Sequence, residues 1–452
     1  MGLTYGNRSA LYFEVKLFTK CLENIELARQ NNFPAEKLAR LDKREADCRA
    51  WIAQNGDRDY RYDFIKLSKP ANERYPCIVN CLSLVETHKY SRHIVTTEDL
   101  KTGEILCIEE PIVACADPEA RLVRCNYCLK SNHFSLLPCP NCPAVMYCSK
   151  ECMGDDLSHP YQCGNEVVPE LFILTLRMQF NSFKIAGGFK ELIQMMTNDL
   201  PKTVFDFDFS NPNDPDHKRK MLIVLNSLSK QVNKAEKRML MNVYSHLVLD
   251  TPPINDETRT KEEMKFLMQF VPGQSLIYDT NAYELKEYGN DEDFPVGGAV
   301  FPFASLFNHS CFPNVKRFTV DNKLVLIVAR PIKAGEQIFV SYGFSSFRMT
   351  RAERRWELKK YRFKCDCIAC TEDYPRLENL PRKDTRVPSP DISTQFSFDE
   401  AIGEFRKNCE YIEQNFSLQP CYEVCSRIES NVHLLDRLAR DPVYDAERKT
   451  SG

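Results

Sequence analysis

The chain has 452 residues, 43% of them hydrophobic and 27% charged, with a formal net charge of −3. That length exceeds one ordinary core and divides into about two to four domains, while the near-balanced charge leaves no electrostatic footprint for nucleic acid across the whole molecule. No apolar run approaches the roughly 18–20 residues of a membrane span, the polar start Met-Gly-Leu-Thr-Tyr-Gly lacks an apolar signal segment, and Gly6 stands where a myristoylation motif needs Ser or Thr. The expectation is an intracellular protein whose twenty cysteines are thiols and metal ligands rather than disulfides.

In chain order, Ala10, Tyr12, Phe18, Leu22, Ile25 and Ala28 recur at helical spacing and predict two amphipathic helices with a break near Lys16–Phe18. Residues 35–53 read as a third helix. Asn7-Arg8-Ser9-Ala10 with Cys21-Leu22 and Ala28 resembles the helix pair of a tetratricopeptide repeat, although a plain helical hairpin fits the same spacing. So few repeats rarely stand alone, so these helices are expected to dock on another part of the chain. The stretch 57–74 has no clear period and reads as a linker. Two apolar runs, His93–Thr97 and Glu104–Ile108, flank Leu100-Lys101-Thr102-Gly103 and predict a β-hairpin. The same phrase returns as Ile332-Lys333-Ala334-Gly335-Glu336 between Leu324–Val328 and Gln337–Val340. Two such pieces so far apart suggest one β-rich domain interrupted by an insertion.

The insertion opens with Cys125-x2-Cys128, Cys139-x2-Cys142, Cys148-x3-Cys152 and His159-x3-Cys163. These eight side chains suffice for two closed tetrahedral zinc sites, whose binding energy would fold a segment too short to bury a core. The spacing resembles the MYND finger. Its cross-braced pattern implies one ion on Cys125, Cys128, Cys148 and Cys152, and a second on Cys139, Cys142, His159 and Cys163. His133 lies off the ligand spacing and reads as a surface residue. Helical periodicity follows at Leu171–Phe180, Phe189–Met196, Met221–Val232 and Met239–Leu247. The polar loop Asp206–His217 lacks calcium-ligand spacing and reads as a solvated turn. A second polar stretch, Asp250–Glu263, leads into a helix expected to run through Phe270.

The stretch Ala304–Asn314 carries Asn308-His309-Ser310-Cys311-Phe312-Pro313-Asn314. It resembles the signature of SET-domain lysine methyltransferases, in which a threaded loop lies against S-adenosylmethionine. After the basic helix Arg351–Lys360 comes Cys365-x-Cys367-x2-Cys370, three thiols needing a fourth ligand, for which Cys311 is the candidate. The resemblance makes this the post-SET zinc site. Residues 375–394 read as a linker, and Ile402–Leu438 as helical with a break near Ser417–Pro420.

The whole order of parts resembles the SET-and-MYND methyltransferases, most of all the branch with a tetratricopeptide-type N-terminal extension. It implies an α+β multidomain fold: a β-rich SET domain split by a MYND zinc finger and a helical insert, with a post-SET zinc site and helical N- and C-terminal regions. The expected limits are 1–56 for the tetratricopeptide-like helices, 57–87 for a linker, 88–120 and 275–347 for the SET halves, 121–165 for the finger and 166–274 for the insert. The post-SET element takes 348–374, a linker 375–398, the C-terminal helices 399–440 and a flexible tail 441–452.

The resemblance also implies a function, methyl transfer from S-adenosylmethionine to a lysine of a histone or non-histone protein. Tyr342 and Tyr361 are the implied catalytic residues. Ser91, Arg92, Asn281, Asn308, His309, Tyr342 and Phe363 are implied at the cofactor, with Tyr361 and Phe363 walling the lysine channel. For His309 a structural hydrogen bond bracing the loop is the alternative role. Such chemistry needs aligned reactants and a neutral amine, which an apolar channel and a nearby positive charge favour by lowering the amine's pKa. Ser91 departs from the family pattern, which has glycine where the backbone meets the cofactor, and a Cβ there crowds the ligand or demands a φ that Ser tolerates poorly. That departure keeps open a second reading, a catalytically weak or inactive adaptor recruiting partners through the finger in transcriptional regulation. Implied partners are a protein substrate, proline-rich peptides at the finger and chromatin-associated or chaperone proteins, in the cytoplasm and nucleus. Few basic residues lie between Cys125 and Cys163, which argues against sequence-specific nucleic-acid binding by the finger.

Overall fold

The computed structural model describes residues 1–55, 64–131, 134–164, 170–198, 202–230, 259–287, 293–390 and 396–439. The helices expected at 239–247, His133 and the tail 441–452 lie outside them. Among the described residues twelve strands follow in chain order: β1 Leu82–Thr87, β2 Ser91–Thr96, β3 Ile105–Glu109, β4 Val113–Ala116, β5 Leu137–Pro138, β6 Met146–Tyr147, β7 Ala282–Glu287, β8 Phe294–Val300, β9 Asn308–His309, β10 Val315–Val320, β11 Lys323–Val328 and β12 Phe339–Val340. They form the sheets β1-β2, β10-β11-β3, β12-β9, β4-β8-β7 and β5-β6. Because β4 pairs with β8, and β3 with β11, the segments before and after the insertion share one core. Among the described residues no helix is long and apolar enough to cross a membrane.

The two expected hairpins do not form. Instead β2 pairs with β1, β3 with β11, and β12 with β9, while the two similar phrases lie side by side. Leu100 bridges to Ile332, Gly103 N–H donates to Val328 O at 2.8 Å, and Gly335 N–H donates to Thr96 O at 2.7 Å. Strands β3 and β11 are buried on both faces, with Leu106 and Leu326 in the main core and Ile105 and Ile327 under the C-terminal helices. Gly103 is required twice. Its φ is +90°, and a Cβ there meets Cys409 Sγ at 3.0 Å.

Three helices, Gly2–Glu14, Phe18–Gln30 and Leu38–Asn55, form the N-terminal region. It docks on the finger through Arg8 to Phe134 O, Tyr12 against Ser135 Oγ at 3.1 Å, and the Tyr12 and Phe134 rings 5.2 Å apart. The stretch expected as the first linker is folded from residue 64 onward. Tyr75, Ile78, Val79, Cys81 and Leu82 enter the main core, and Val79 N–H donates to Leu106 O at 3.0 Å. The second linker is also pinned: Leu380 is buried and Tyr422 N–H donates to Pro381 O at 3.0 Å. Isolated apolar residues among polar ones, without period, anchor both stretches.

In the insert, Glu170–Ala186, Phe189–Asn198, His217–Asn226 and Lys261–Asn281 are helical. The expected helix from Met221 to Val232 ends at Asn226 within the described residues. The last helix runs past Phe270 to Asn281 with Pro272 inside, started by a capping box between Thr260 and Glu263. Its Tyr278 hydroxyl lies where a Cβ on Gly298 would stand, so β8 needs glycine for this helix to approach. The C-terminal helices Phe398–Asn415 and Tyr422–Ala439 cover β10-β11-β3 with Phe405, Leu434, Leu435 and Leu438. They also cover the post-SET cysteines with Ile412, Val424 and Ile428.

Candidate functional site

Short local spacings place the metal-ligating side chains. In the finger, Cys125, Cys128, Cys148 and Cys152 form one group and Cys139, Cys142, His159 and Cys163 another; Cys311 joins Cys365, Cys367 and Cys370 in a third. Within each group the ligand atoms lie within 4.8 Å of one another. A tetrahedral ion with bonds of about 2.3 Å sets its sulfurs about 3.8 Å apart. The separations are 3.6 Å for Cys128–Cys148, 3.9 Å for Cys139–Cys163, and 3.9 and 3.6 Å from Cys311 to Cys365 and Cys370. His159 turns Nε2 toward Cys142 at 3.5 Å and Cys139 at 3.3 Å. These three soft-ligand groups can each hold a zinc ion.

Two buried arginines fix the finger to the domain, and neither is legible from spacing. Arg124 pairs with Glu287 on β7 and, at 2.9 Å, with Asp321 in the β10–β11 turn; Asn322 in that turn donates to Cys128 O at 2.9 Å. Arg177, from the helix Glu170–Ala186, is 2% exposed and meets Asp156, itself fully buried, at 2.9 Å. The same guanidinium donates to Ala114 O at 2.8 Å and Asn126 O at 2.9 Å. Asp156 further accepts from Asn126 at 2.8 Å, Tyr147 at 3.2 Å and Ser158 at 2.6 Å. A charge inside the apolar run Ile173–Phe180 is the one sequence signal that marks Arg177.

The signature segment is threaded as β9, running parallel to β12 with Asn308 opposite Phe339 and His309 opposite Val340. Glu109 on β3 fixes its entry by accepting from Phe303 N–H at 2.8 Å, Ala304 N–H at 3.0 Å and Tyr75 O–H at 2.9 Å. Burial raises the Glu109 carboxyl to about 7 from an ordinary 4.5, opposed by those three donors. A folded-state pKa above the unfolded one means that the native protein holds the extra proton between pH 4.5 and 7. Stability from this group is therefore full below pH 4.5 and declines as pH rises to 7, by about 3 kcal/mol. Glu109→Gln is expected to flatten that part of a stability-against-pH curve measured by urea unfolding.

His309 is buried and serves the loop. Its Nδ1 accepts the Tyr342 N–H at 3.0 Å, and Nε2 faces Cys311 Sγ at 3.3 Å. Burial lowers its pKa to about 4, so the ring is neutral at pH 7 with its proton on Nε2. Both nitrogens are thus engaged within the threaded loop. The Tyr342 hydroxyl donates to Phe307 O at 2.9 Å, and burial pushes its pKa above the usual tyrosine value. Around it, ring centroids stand at 4.9 Å for Tyr361, 5.2 Å for His309 and 6.4 Å for Phe363. Tyr283 on β7, unassigned by sequence reasoning, is buried behind this group and donates to Ala304 O at 2.7 Å.

The remaining residues implied at the cofactor divide into two sets. Asn308 Nδ2 donates to Tyr90 O at 3.2 Å, which brings the signature beside Ser91 at the start of β2. Ser91 has φ +51° and is exposed, the left-handed conformation that glycine adopts freely. Arg92 reaches Ser227 O at 3.4 Å, and Asn281 donates to Ser229 O and Ile277 O, both at 2.8 Å. Arg92 and Asn281 are therefore joined through the turn 227–229 rather than directly to Asn308. Among the described residues no donor reaches Asn308 Oδ1, and this half-buried acceptor beside the Tyr90–Ser91 backbone suits a polar ligand.

A SET-domain family model matches residues 91–343. The chain is 24% identical over 462 aligned positions to the protein-lysine N-methyltransferase SMYD4 of Danio rerio, covering 82% of this chain and 60% of that protein. It is 25% identical to the histone-lysine N-methyltransferase SMYD3 of Mus musculus, covering 61% and 58%, and 22% identical to SET domain-containing protein 3 of Caenorhabditis elegans, covering 66% and 61%. The chain thus spans about 60% of the length of these relatives.

Proposed function

The chain belongs to the SET-domain family, in its SET-and-MYND group, and on that premise we propose that it is a protein-lysine N-methyltransferase using S-adenosylmethionine. The observation that carries this reading is the half-buried Tyr342, which follows the parallel pair β9–β12 and whose hydroxyl is ringed by His309, Tyr361 and Phe363. When bound, S-adenosylmethionine supplies an electrophilic methyl on a positive sulfur. Asn308 and the backbone at Tyr90–Ser91 are the groups that would hold it. Tyr361 and Phe363 wall an apolar approach that disfavours a charged ammonium. Tyr342 spends its proton on Phe307 O, so its oxygen lone pairs are left to accept from the incoming amine and hold it in line. Zinc at the three cysteine-rich groups would fold the finger and tie the signature to the post-SET segment.

A protein substrate follows from this reading, with proline-rich peptides at the finger, chromatin-associated or chaperone proteins as further partners, and residence in the cytoplasm and nucleus. One observation favours the second reading, a weakly catalytic adaptor: the non-glycine residue at φ +51° beside Asn308. Backbone strain at such a residue costs roughly 1 kcal/mol. Ser91→Gly is accordingly expected to stabilise the fold by about that much and to tighten cofactor binding by up to about tenfold. Calorimetric titration of the zinc-loaded protein with S-adenosylmethionine tests both readings. Micromolar binding that Asn308→Ala weakens supports the enzyme, whereas binding only by Ser91→Gly supports the adaptor.

A further inference from the structure

The helix Arg351–Leu358 and the turn Lys359–Tyr361 lead directly to the aromatic group around Tyr342. Their cations fall into two classes. Arg354 is buried and donates to Ala369 O at 3.0 Å, and Arg351 pairs with Asp373 at 2.8 Å; both hold the post-SET fold together. Arg355, Lys359, Lys360 and Lys364 are exposed and make no ion pair among the described residues. In their midst stands Trp356, one of two tryptophans in the chain and 68% exposed. Lys359 Nζ lies 4.3 Å over its ring, Lys360 Nζ sits 4.9 Å from the Phe344 ring and 5.2 Å from that of Tyr361, and Tyr361 stands 4.9 Å from Tyr342. A basic and aromatic ridge therefore runs without interruption from Trp356 to the candidate transfer site.

Leaving an indole in water forgoes one of the largest gains that burial offers, and Trp is the residue most enriched at binding hot spots. The cations around it sit in a chain of net charge −3, so their concentration here is local. We propose that this ridge docks an acidic stretch of the polypeptide whose lysine is methylated, carboxylates meeting Arg355, Lys359 and Lys360 and an apolar side chain covering Trp356. The docking stands on the ridge itself; the identification of its occupant as the methyl acceptor rests on the methyltransferase reading above. Trp356 is the one exposed ring on the helix, without the succession of aromatic platforms on which single-stranded bases stack, which favours a peptide over a nucleic acid.

Fluorescence polarisation with the zinc-loaded full chain tests the proposal, using a labelled lysine peptide flanked by glutamates and the same peptide with glutamines. The glutamate peptide is expected to bind about tenfold tighter at low salt and to lose that advantage as salt rises. Lys359→Glu with Lys360→Glu should abolish the preference, and Trp356→Ala should weaken binding several-fold, with S-adenosylmethionine affinity unchanged in both as evidence of an intact fold. In methyl transfer the charge reversal should raise KM for the glutamate peptide and leave kcat. Equal binding of the two peptides, or a preference that survives charge reversal, overturns the docking site. Tighter binding of a single-stranded oligouridylate at the same residues overturns it in favour of nucleic acid. Charge-selective peptide binding by a protein that methylates neither peptide supports the docking site while counting against the methyltransferase reading.

Discussion

Tyr342→Phe is expected to lower the rate of methyl transfer about 100-fold, roughly 2.7 kcal/mol of barrier, while S-adenosylmethionine binding changes by no more than a few-fold. The substitution keeps the ring, and with it the contacts to His309, Tyr361 and Phe363. The Tyr342 backbone N–H that holds His309 is also untouched. Only the oxygen goes. Because its proton is committed to Phe307 O, what is lost is an acceptor placed where the amine must enter, and Phe307 O loses its donor. Single-turnover kinetics beside calorimetry separate the two effects. A variant that transfers methyl groups at the native rate removes Tyr342 from the chemistry; one that loses cofactor binding and rate together assigns it to the cofactor instead.

The largest stability effect is expected at Arg177 and Asp156. Arg177→Met should destabilise the protein by about 3–5 kcal/mol, because it leaves the fully buried Asp156 carboxylate without its cation. Against a total stability of roughly 5–15 kcal/mol for a domain, this is a large share. Asp156→Asn keeps one acceptor oxygen, enough for Asn126 and Tyr147 or for Ser158 but not for all three, and leaves Arg177 as the uncompensated charge. The double variant should therefore cost less than the sum of the two, with a coupling of about 1–3 kcal/mol. Urea unfolding of the four proteins in excess zinc measures this directly. Additive losses would show that the two residues act separately and that the finger is held mainly by other contacts.

What the sequence made legible is what it carries locally. Pairs such as Cys125-x2-Cys128 and Cys365-x-Cys367 place ligands by spacing alone, and the run through Asn308 and Cys311 announces itself by composition. The mixed α+β architecture, split by a finger and helices, follows from the order of those parts. Strand pairing was not legible. The turns at Gly103 and Gly335 each look like a hairpin tip, yet β3 and β11 pair with each other across more than 200 residues while β2 turns to β1 and β12 to β9. The buried charges are hidden for a related reason. Arg124, Arg177 and Glu109 have their partners far off in the chain, and only the fold brings Asp321, Asp156 and the backbone of Phe303 and Ala304 to them. Ser91 shows both sides: its departure from glycine is plain in the sequence, and its positive φ is a property of the folded turn.

The most direct measurement is the appearance of methyllysine. Zinc-loaded protein is incubated with S-adenosylmethionine and an array of lysine peptides, some acidic and some neutral, and the products are read by mass spectrometry beside Tyr342→Phe. The account predicts methylated lysines for the native protein, strongest on acidic peptides, and a signal lower by about two orders of magnitude for the variant. Unmodified lysines across the array, from a protein that binds S-adenosylmethionine, would contradict it and leave the finger and its docked helices as the working parts of an adaptor.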